Sequence, residues 1–206
     1  MVWPYGVLQE LPQFPDTTGY GARTVAAARG LGFHFLGWAP DLKGPIYKVS
    51  YGFLVSPTGN QLAIVASGTI LNMKLAGTWL YTVATDGRVF YSTDNQACIA
   101  IDISRQWKTQ LVRTSTFDRL VSRHEDLMQA KGVIPRCFNN GRVLEEFRQF
   151  RADHYQHMAR AGQIEFTDVE ATRWRYTIRG ALKLSFLNYT IGMVRGFTHG
   201  RFPRCA

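Results

Sequence analysis

The stretch from residue 45 to residue 93 constrains the fold more than any other part of this chain. In PIYKVSYGFLV (45–55), Tyr47, Val49, Tyr51, Phe53 and Val55 recur at period two, the spacing that lines one face of a strand. Ser56-Pro57-Thr58-Gly59-Asn60 is turn chemistry, and QLAIVASGTIL (61–71) resumes as a strand. GTWLYTVAT (77–85) meets RVFYST (88–93) across Asp86-Gly87, a strong short-range hairpin signal. Parallel neighbours need crossovers of about a dozen residues or more, and these connections leave no room for one. The segment therefore predicts an antiparallel meander. FHFLGW (33–38) adds a strand before it, and ACIAIDIS (97–104) or QLVRTS (110–115) supplies a further short one.

Outside the sheet the pattern changes. Residues 1–16 carry three prolines, neither a basic start nor a continuous apolar run, and read as an extended arm rather than a signal peptide. Thr17 and Thr18 precede YGARTVAAARGLG, a short helix closed by Gly30 or Gly32. From residue 115 the period becomes helical. Ser115-Thr116-Phe117-Asp118 resembles a capping box and opens a helix to about Lys131, with Phe117, Leu120, Val121, Leu127 and Met128 as its apolar stripe. Gly132 and Pro135 end it. Asn139 or Asn140 caps a second helix over 142–161, with Val143, Leu144, Phe147, Phe150 and Met158 near one face. Asp168 caps a third, which contains RYTIRGALKLSFLNYTIGM (175–193).

The expected architecture is one α+β domain over 1–206, with its sheet in 33–114, helices in 115–194 and a basic tail in 195–206. An antiparallel meander of about five strands in the first half is packed by about three C-terminal helices and one short N-terminal helix. Apolar residues at 46% and charged residues at 19% are globular proportions and exclude a disordered chain. Cys98, Cys137 and Cys205 are odd in number and widely spaced, which fits a reduced, cytoplasmic setting and gives no zinc knuckle.

Charge is placed unevenly. Residues 1–110 hold 8 Lys/Arg against 6 Asp/Glu, and residues 111–206 hold 16 against 9, so the second half supplies most of the net +9. Fourteen of those sixteen cations are Arg, whose planar fork suits phosphate and carboxylate. An acidic partner is therefore expected, beside the plainer reading of a solvated basic face.

Catalytic motifs are scarce. Gly19-Tyr20-Gly21 and Gly30-Leu31-Gly32 are too short for a phosphate-cradling loop, and G-K-[ST], G-x-S-x-G and H-E-x-x-H are absent. His154 and His157 are three apart on a predicted helix, and His124 sits seven after Phe117 on an apolar stripe. Three converging imidazoles can bind a divalent metal, but packed or solvated histidines are the commoner outcome, and no metal or cofactor is expected. Glu145 and Glu146 suit a positive helix end. Tyr47, Tyr51, Phe53, Trp79, Tyr81 and Tyr91 on the strands are base-stacking residue types. The cations lie mainly in the other half of the chain, so packing of sheet on helix is the preferred account of these aromatics.

On a helical wheel Trp174, Ile178, Ala181, Leu182 and Tyr189 form one apolar face, bordered by Arg175, Arg179 and Lys183. The run 184–194 is free of charge and covers about 16 Å, roughly half a hydrocarbon core, so it is too short to span one. Packing of this helix on the sheet ranks first, ahead of a partner or subunit interface and a membrane surface. TDGRVFYST (85–93) and RYTIRGALKLSF (175–186) resemble matching segments in a bacterial protein family of unknown function. That resemblance implies a sheet-forming first half and an Arg-rich helical second half, and carries no activity or site residue.

The functional expectation is a cytoplasmic, non-enzymatic binding or accessory module, with peripheral membrane contact included. It presents a basic helical surface to an acidic partner, namely an anionic membrane surface or another protein, ahead of nucleic acid. Arg175, Arg179 and Lys183 are the expected electrostatic contacts. Phe197 and Phe202 are the apolar anchors in a tail that adds Arg201 and Arg204. A small enzyme or ligand-binding protein with a pocket between sheet and helices stays open, with His124, His154 and Asp102 the residues to inspect. So do a nucleic-acid-binding protein and a homo-oligomer joined through the apolar helix.

Overall fold

The structure, a computed structural model, describes residues 19–42, 47–70, 73–94, 107–112, 114, 116–138, 142–167 and 174–182. The elements are α1 (Tyr20–Gly30), β1 (His34–Leu42), β2 (Tyr47–Val55), β3 (Leu62–Ile70), β4 (Met73–Val83), β5 (Val89–Thr93), β6 (Trp107–Leu111), α2 (Phe117–Ala130), α3 (Val143–Arg160), β7 (Ile164–Phe166) and β8 (Trp174–Tyr176). Two compact units divide the chain. Among the described residues, the sheet unit comprises those over 19–148 and the C-terminal unit those over 149–182.

In the sheet unit, β1 to β5 form the antiparallel meander that the turn spacing predicts, in sequence order. Asp86-Gly87 turns β4 into β5: the Gly87 N–H donates to the Ala84 carbonyl, and Gly87 takes φ +83°, where a side chain would be strained. The sixth strand departs from expectation. It lies at 107–111, overlapping only the second of the two proposed segments, and runs parallel to β5 from Val89↔Trp107 to Thr93↔Leu111. The physical reason is the length of the connection: residues 94–106 suffice for a crossover, which the tight turns earlier in the chain do not.

Alternation along the strands makes two covered faces. On one, Leu54, Ala63, Val65 and Leu80 join Val25 and Ala28 of α1 and Phe117 and Leu120 of α2 in a single core cluster. Trp38 lies across Gly52 on the neighbouring strand, where a Cβ would fall 2.3 Å from the indole ring. On the other face, Phe147 of α3 meets Phe53 and Tyr81 edge-on, and Tyr81 stacks on Tyr91 at 5.5 Å between ring centres. These strand aromatics serve packing, as preferred from the sequence.

The α2 stripe is as read, with Phe117, Leu120 and His124 buried and Val121, Leu127 and Met128 half-buried. Its cap is not. Thr116 is the N-cap, with no side-chain bond to the helix backbone. Its hydroxyl bonds the Asp118 carboxylate instead, holding that carboxyl below its usual range. Ser115, Asn139, Asn140 and Asp168, the other proposed caps, lie outside the described residues.

In the C-terminal unit, Tyr155 and Met158 of α3 bury Ile164 of the β7–β8 hairpin, flanked by Ala159, Phe166 and Tyr176. Here the sequence reading fails. Residues 174–176 are strand β8, not the start of a long helix, and helical backbone begins only after Thr177, over 178–182. Tyr176 pairs with Ile164 and Trp174 with Phe166 in the backbone register of the hairpin, so cross-strand pairing overrides the helical spacing of Arg175 and Arg179. Among the described residues no helix is long and apolar enough to cross a membrane.

Candidate functional site

Two places concentrate the polar groups that chemistry or recognition would use. The first is a seam on the helix-facing side of β4 and β5, where alternation brings Thr78, Thr82, Ser92 and Asp94 to the same face as Leu80. Tyr20, in the first turn of α1, donates its phenol proton to Asp94 Oδ2. With that proton committed, the phenol oxygen accepts from the Thr78 hydroxyl at 2.7 Å, and the Thr78 backbone N–H donates to Asp94 Oδ1 at 2.7 Å. Burial raises the Asp94 pKa above the ordinary carboxylate range against the pull of these donors. Burial and the adjacent carboxylate also push the Tyr20 phenol up, so it stays protonated and acts as a donor, not a base.

His124 of α2 is the other half of the seam. Its Nε2 lies 2.9 Å from Thr82 Oγ1 and its Nδ1 2.8 Å from Ser92 Oγ. Thr82 donates its own proton to the Asn60 carbonyl at 3.3 Å, so it must accept from the imidazole. That fixes the tautomer: Nε2 carries the hydrogen and Nδ1 accepts from the Ser92 hydroxyl. Burial lowers the His124 pKa from 6.5 to about 4, keeping the ring neutral. A serine hydroxyl on a neutral imidazole is a nucleophile–base pair in kind. In this fold, however, Ser92 and His124 are fully buried, and both ring nitrogens are engaged. The arrangement fastens α2 to β4 and β5.

His154 and His157 belong to the C-terminal unit, where His154 is buried and His157 exposed despite their shared helical spacing. No group of three His, Cys, Asp or Glu side chains among the described residues is placed to hold a metal ion. Asp102 lies outside the described residues.

The second place is the turn that follows β8. The Thr177 N–H donates to the Gln163 carbonyl at 3.1 Å, and its hydroxyl donates to the Gly162 carbonyl at 2.7 Å. The same hydroxyl accepts the Gly180 N–H at 3.0 Å, so Thr177 caps the helical turn and ties it to the hairpin. Gly180 presses on the hairpin so closely that a Cβ would lie 1.9 Å from the Gln163 oxygen. Residues 178 and 182 stand two positions either side of Gly180, about 200° around a helix, and must therefore point away. Ile178 is 83% exposed and Leu182 66%. The expected inward apolar face is thus turned outward over the residues described, because glycine occupies the contact.

Arg179 is exposed on this turn and has no ion-pair partner among the described residues. Arg175 is also exposed, but on β8, where it pairs with Glu165 directly across the hairpin. The stripe of Arg175, Arg179 and Lys183 along one helix does not form as expected, since its first member is on a strand. Lys183, Phe197, Arg201, Phe202 and Arg204 lie outside the described residues.

A Thr immediately before IRGAL is an N-cap signal that marks the true helix start. No comparable signal marks Tyr20, Thr78, Thr82 or Ser92, which are ordinary residues of a helix and two strands until the fold brings them together. No protein-family model, curated protein or solved structure matches this chain.

Proposed function

We propose that the protein is a non-enzymatic binding module whose C-terminal unit engages an acidic partner. The observation that carries this reading is the turn at 178–182, which holds Ile178 and Leu182 outward with the exposed Arg179 beside them. An outward apolar pair beside a cation is the composition of a contact surface for an anionic, partly apolar partner. The charge distribution supports it, since 9 Lys/Arg stand against 4 Asp/Glu in residues 149–206. The enzymatic alternative draws on the seam, but its Ser92–His124 pair is enclosed and its hydrogen-bonding capacity is used internally.

The test titrates the purified protein against anionic vesicles, polyglutamate and a single-stranded oligonucleotide at low and high salt. Binding to vesicles or polyglutamate that weakens with salt, and weakens further in Arg179→Glu, is the expected result. No binding to any of the three overturns the reading. Binding confined to the oligonucleotide replaces it with nucleic-acid recognition.

A further inference from the structure

We infer that the second half of α2 is an acid-released latch: a proton gained by His124 frees residues 124–130 from β4 and β5 while α1 stays docked. This rests on the buried seam and not on the contact turn of the C-terminal unit.

The helix is fastened at few points. Phe117 and Leu120 hold its first half in the core cluster shared with α1. Beyond them His124 is the last side chain to be fully buried, because Leu127 and Met128 are half-buried. Among the described residues, three polar side-chain links join α2 to the sheet and its turns. His124 makes two of them, and the third, Gln61 Nε2 donating to Glu125, is long at 3.4 Å. No ion pair among the described residues adds to these.

The seam as built has no acceptor for a second ring proton. Nε2 already donates to Thr82, whose own hydrogen goes to the Asn60 carbonyl. Nδ1 accepts from Ser92 at 2.8 Å, so a proton there meets the serine hydrogen head-on and the hydroxyl must turn. The charged groups on the surrounding elements give no help. On α2 itself Glu125 is exposed and turned to Gln61, and Arg123 and Asp126 pair with each other in solvent. Lys131 and Arg136, beyond the end of the helix, are exposed. Arg88, before β5, is exposed over the Phe90 ring, and Lys108 of β6 takes the register position beside Phe90. From α1 come the exposed Arg23 and Arg29, and Tyr20, whose phenol is bound to Asp94. An imidazolium is thus enclosed among hydroxyls with no carboxylate partner, and it is favoured only where the helix lifts and water reaches it. Burial accordingly lowers the His124 pKa from 6.5 to about 4.

The α1 side of the seam responds with the opposite sign. Asp94 accepts the Tyr20 phenol proton and the Thr78 N–H, and burial raises its pKa. A carboxyl with a raised folded-state pKa gains stability as pH falls through that value. Acid therefore loosens α2 and leaves the α1 contact in place.

The experiment is amide hydrogen exchange of the full chain from pH 7 to pH 4.5, residue by residue, with each rate divided by the intrinsic rate at that pH. A parallel series in low urea separates local opening, which exposes little surface, from global unfolding. Protection at Glu125, Leu127 and Met128 should fall about tenfold per pH unit below 6.5 and ignore low urea. Protection at Val25 and Ala28 of α1 and at Val65 of β3 should stay at least about tenfold higher at every pH and respond to urea. In His124→Gln, which has no proton to gain, the pH slope at Leu127 and Met128 should vanish. Equal protection and equal urea response in α2, α1 and β3 overturn the latch and leave only global unfolding. So does protection in α2 of the wild type that stays constant with pH, a result that needs no variant to fold. A pH slope that persists in His124→Gln assigns the release to another group and refutes the role of this ring.

Discussion

Acid should loosen this protein through His124. The ring is fully buried against Thr82 and Ser92, and its pKa falls from 6.5 to about 4. A histidine with a depressed folded-state pKa leaves stability intact above its unfolded pKa. That stability is then lost as pH falls from 6.5 toward about 4, because the unfolded chain takes up a proton that the folded chain refuses. Each pKa unit is worth about 1.4 kcal/mol, so the full loss attributable to this group is about 3 kcal/mol. That is a large part of the stability of an ordinary domain.

The assay is urea unfolding at a series of pH values from 7.5 to 4, for the wild type and for His124→Gln, which has no proton to refuse. At pH 7 the variant should be less stable by about 1–3 kcal/mol, since glutamine cannot reproduce both hydroxyl contacts. As pH falls to 4 the difference should shift in the variant's favour by about 3 kcal/mol, closing the gap and reversing it where the gap at pH 7 is smaller than that. A gap that stays constant from pH 7 to pH 4 refutes the reasoning. So does an imidazole resonance of His124 that titrates near the ordinary value. Nitrogen shifts of the same ring should report the Nε2–H tautomer that the Thr82–Asn60 bond dictates.

Four further outcomes rest on named contacts. Asp94→Ala should destabilise by about 1–3 kcal/mol, because the Thr78 N–H and the Tyr20 hydroxyl lose their acceptor in a largely buried place. Asp94→Asn should be tolerated at pH 7: the folded-state pKa of Asp94 is raised, so its ionisation opposes folding as pH rises through that value, and the neutral amide escapes this cost. Chemical denaturation of the two variants side by side checks the pair. Gly52→Ala should cost roughly 2–3 kcal/mol and alter the Trp38 fluorescence, since the new methyl group falls on the indole ring. Gly180→Ala should undock the 178–182 turn, seen as faster amide exchange at Gly180 and Ala181 and as loss of vesicle binding, with the sheet unit unaffected.

Much of the sheet was legible because its determinants are local. Period-two alternation over 45–55, the Ser-Pro-Thr-Gly-Asn turn and Asp86-Gly87 each act within a few residues, and together they leave only an antiparallel meander. The stripe of α2 is legible for the same reason, and the order of apolar residues in α3 likewise. The contact turn is partly legible: the helical wheel places Ile178 with Leu182 and Arg179 beside them, but it does not reveal that this apolar face turns outward.

Tertiary structure decided what depends on partners distant in sequence. Strand β6 joins the sheet in parallel because it meets β5 after a long connection, and nothing within WKTQL encodes that direction. Residues 174–176 are a strand because they pair with 164–166, although their spacing from Arg179 and Lys183 suits a helix. Tyr20, Thr78 and Asp94 form a hydrogen-bonded group only because α1 is laid on β2 and β3 with Tyr20 reaching the neighbouring strand, across 58 and 74 residues of sequence. The sequence by itself determined which segments alternate and where they turn. The direction in which Ile178 and Leu182 face was settled by one backbone contact, that of Gly180 on the Gln163 carbonyl, which only a residue without a side chain can make.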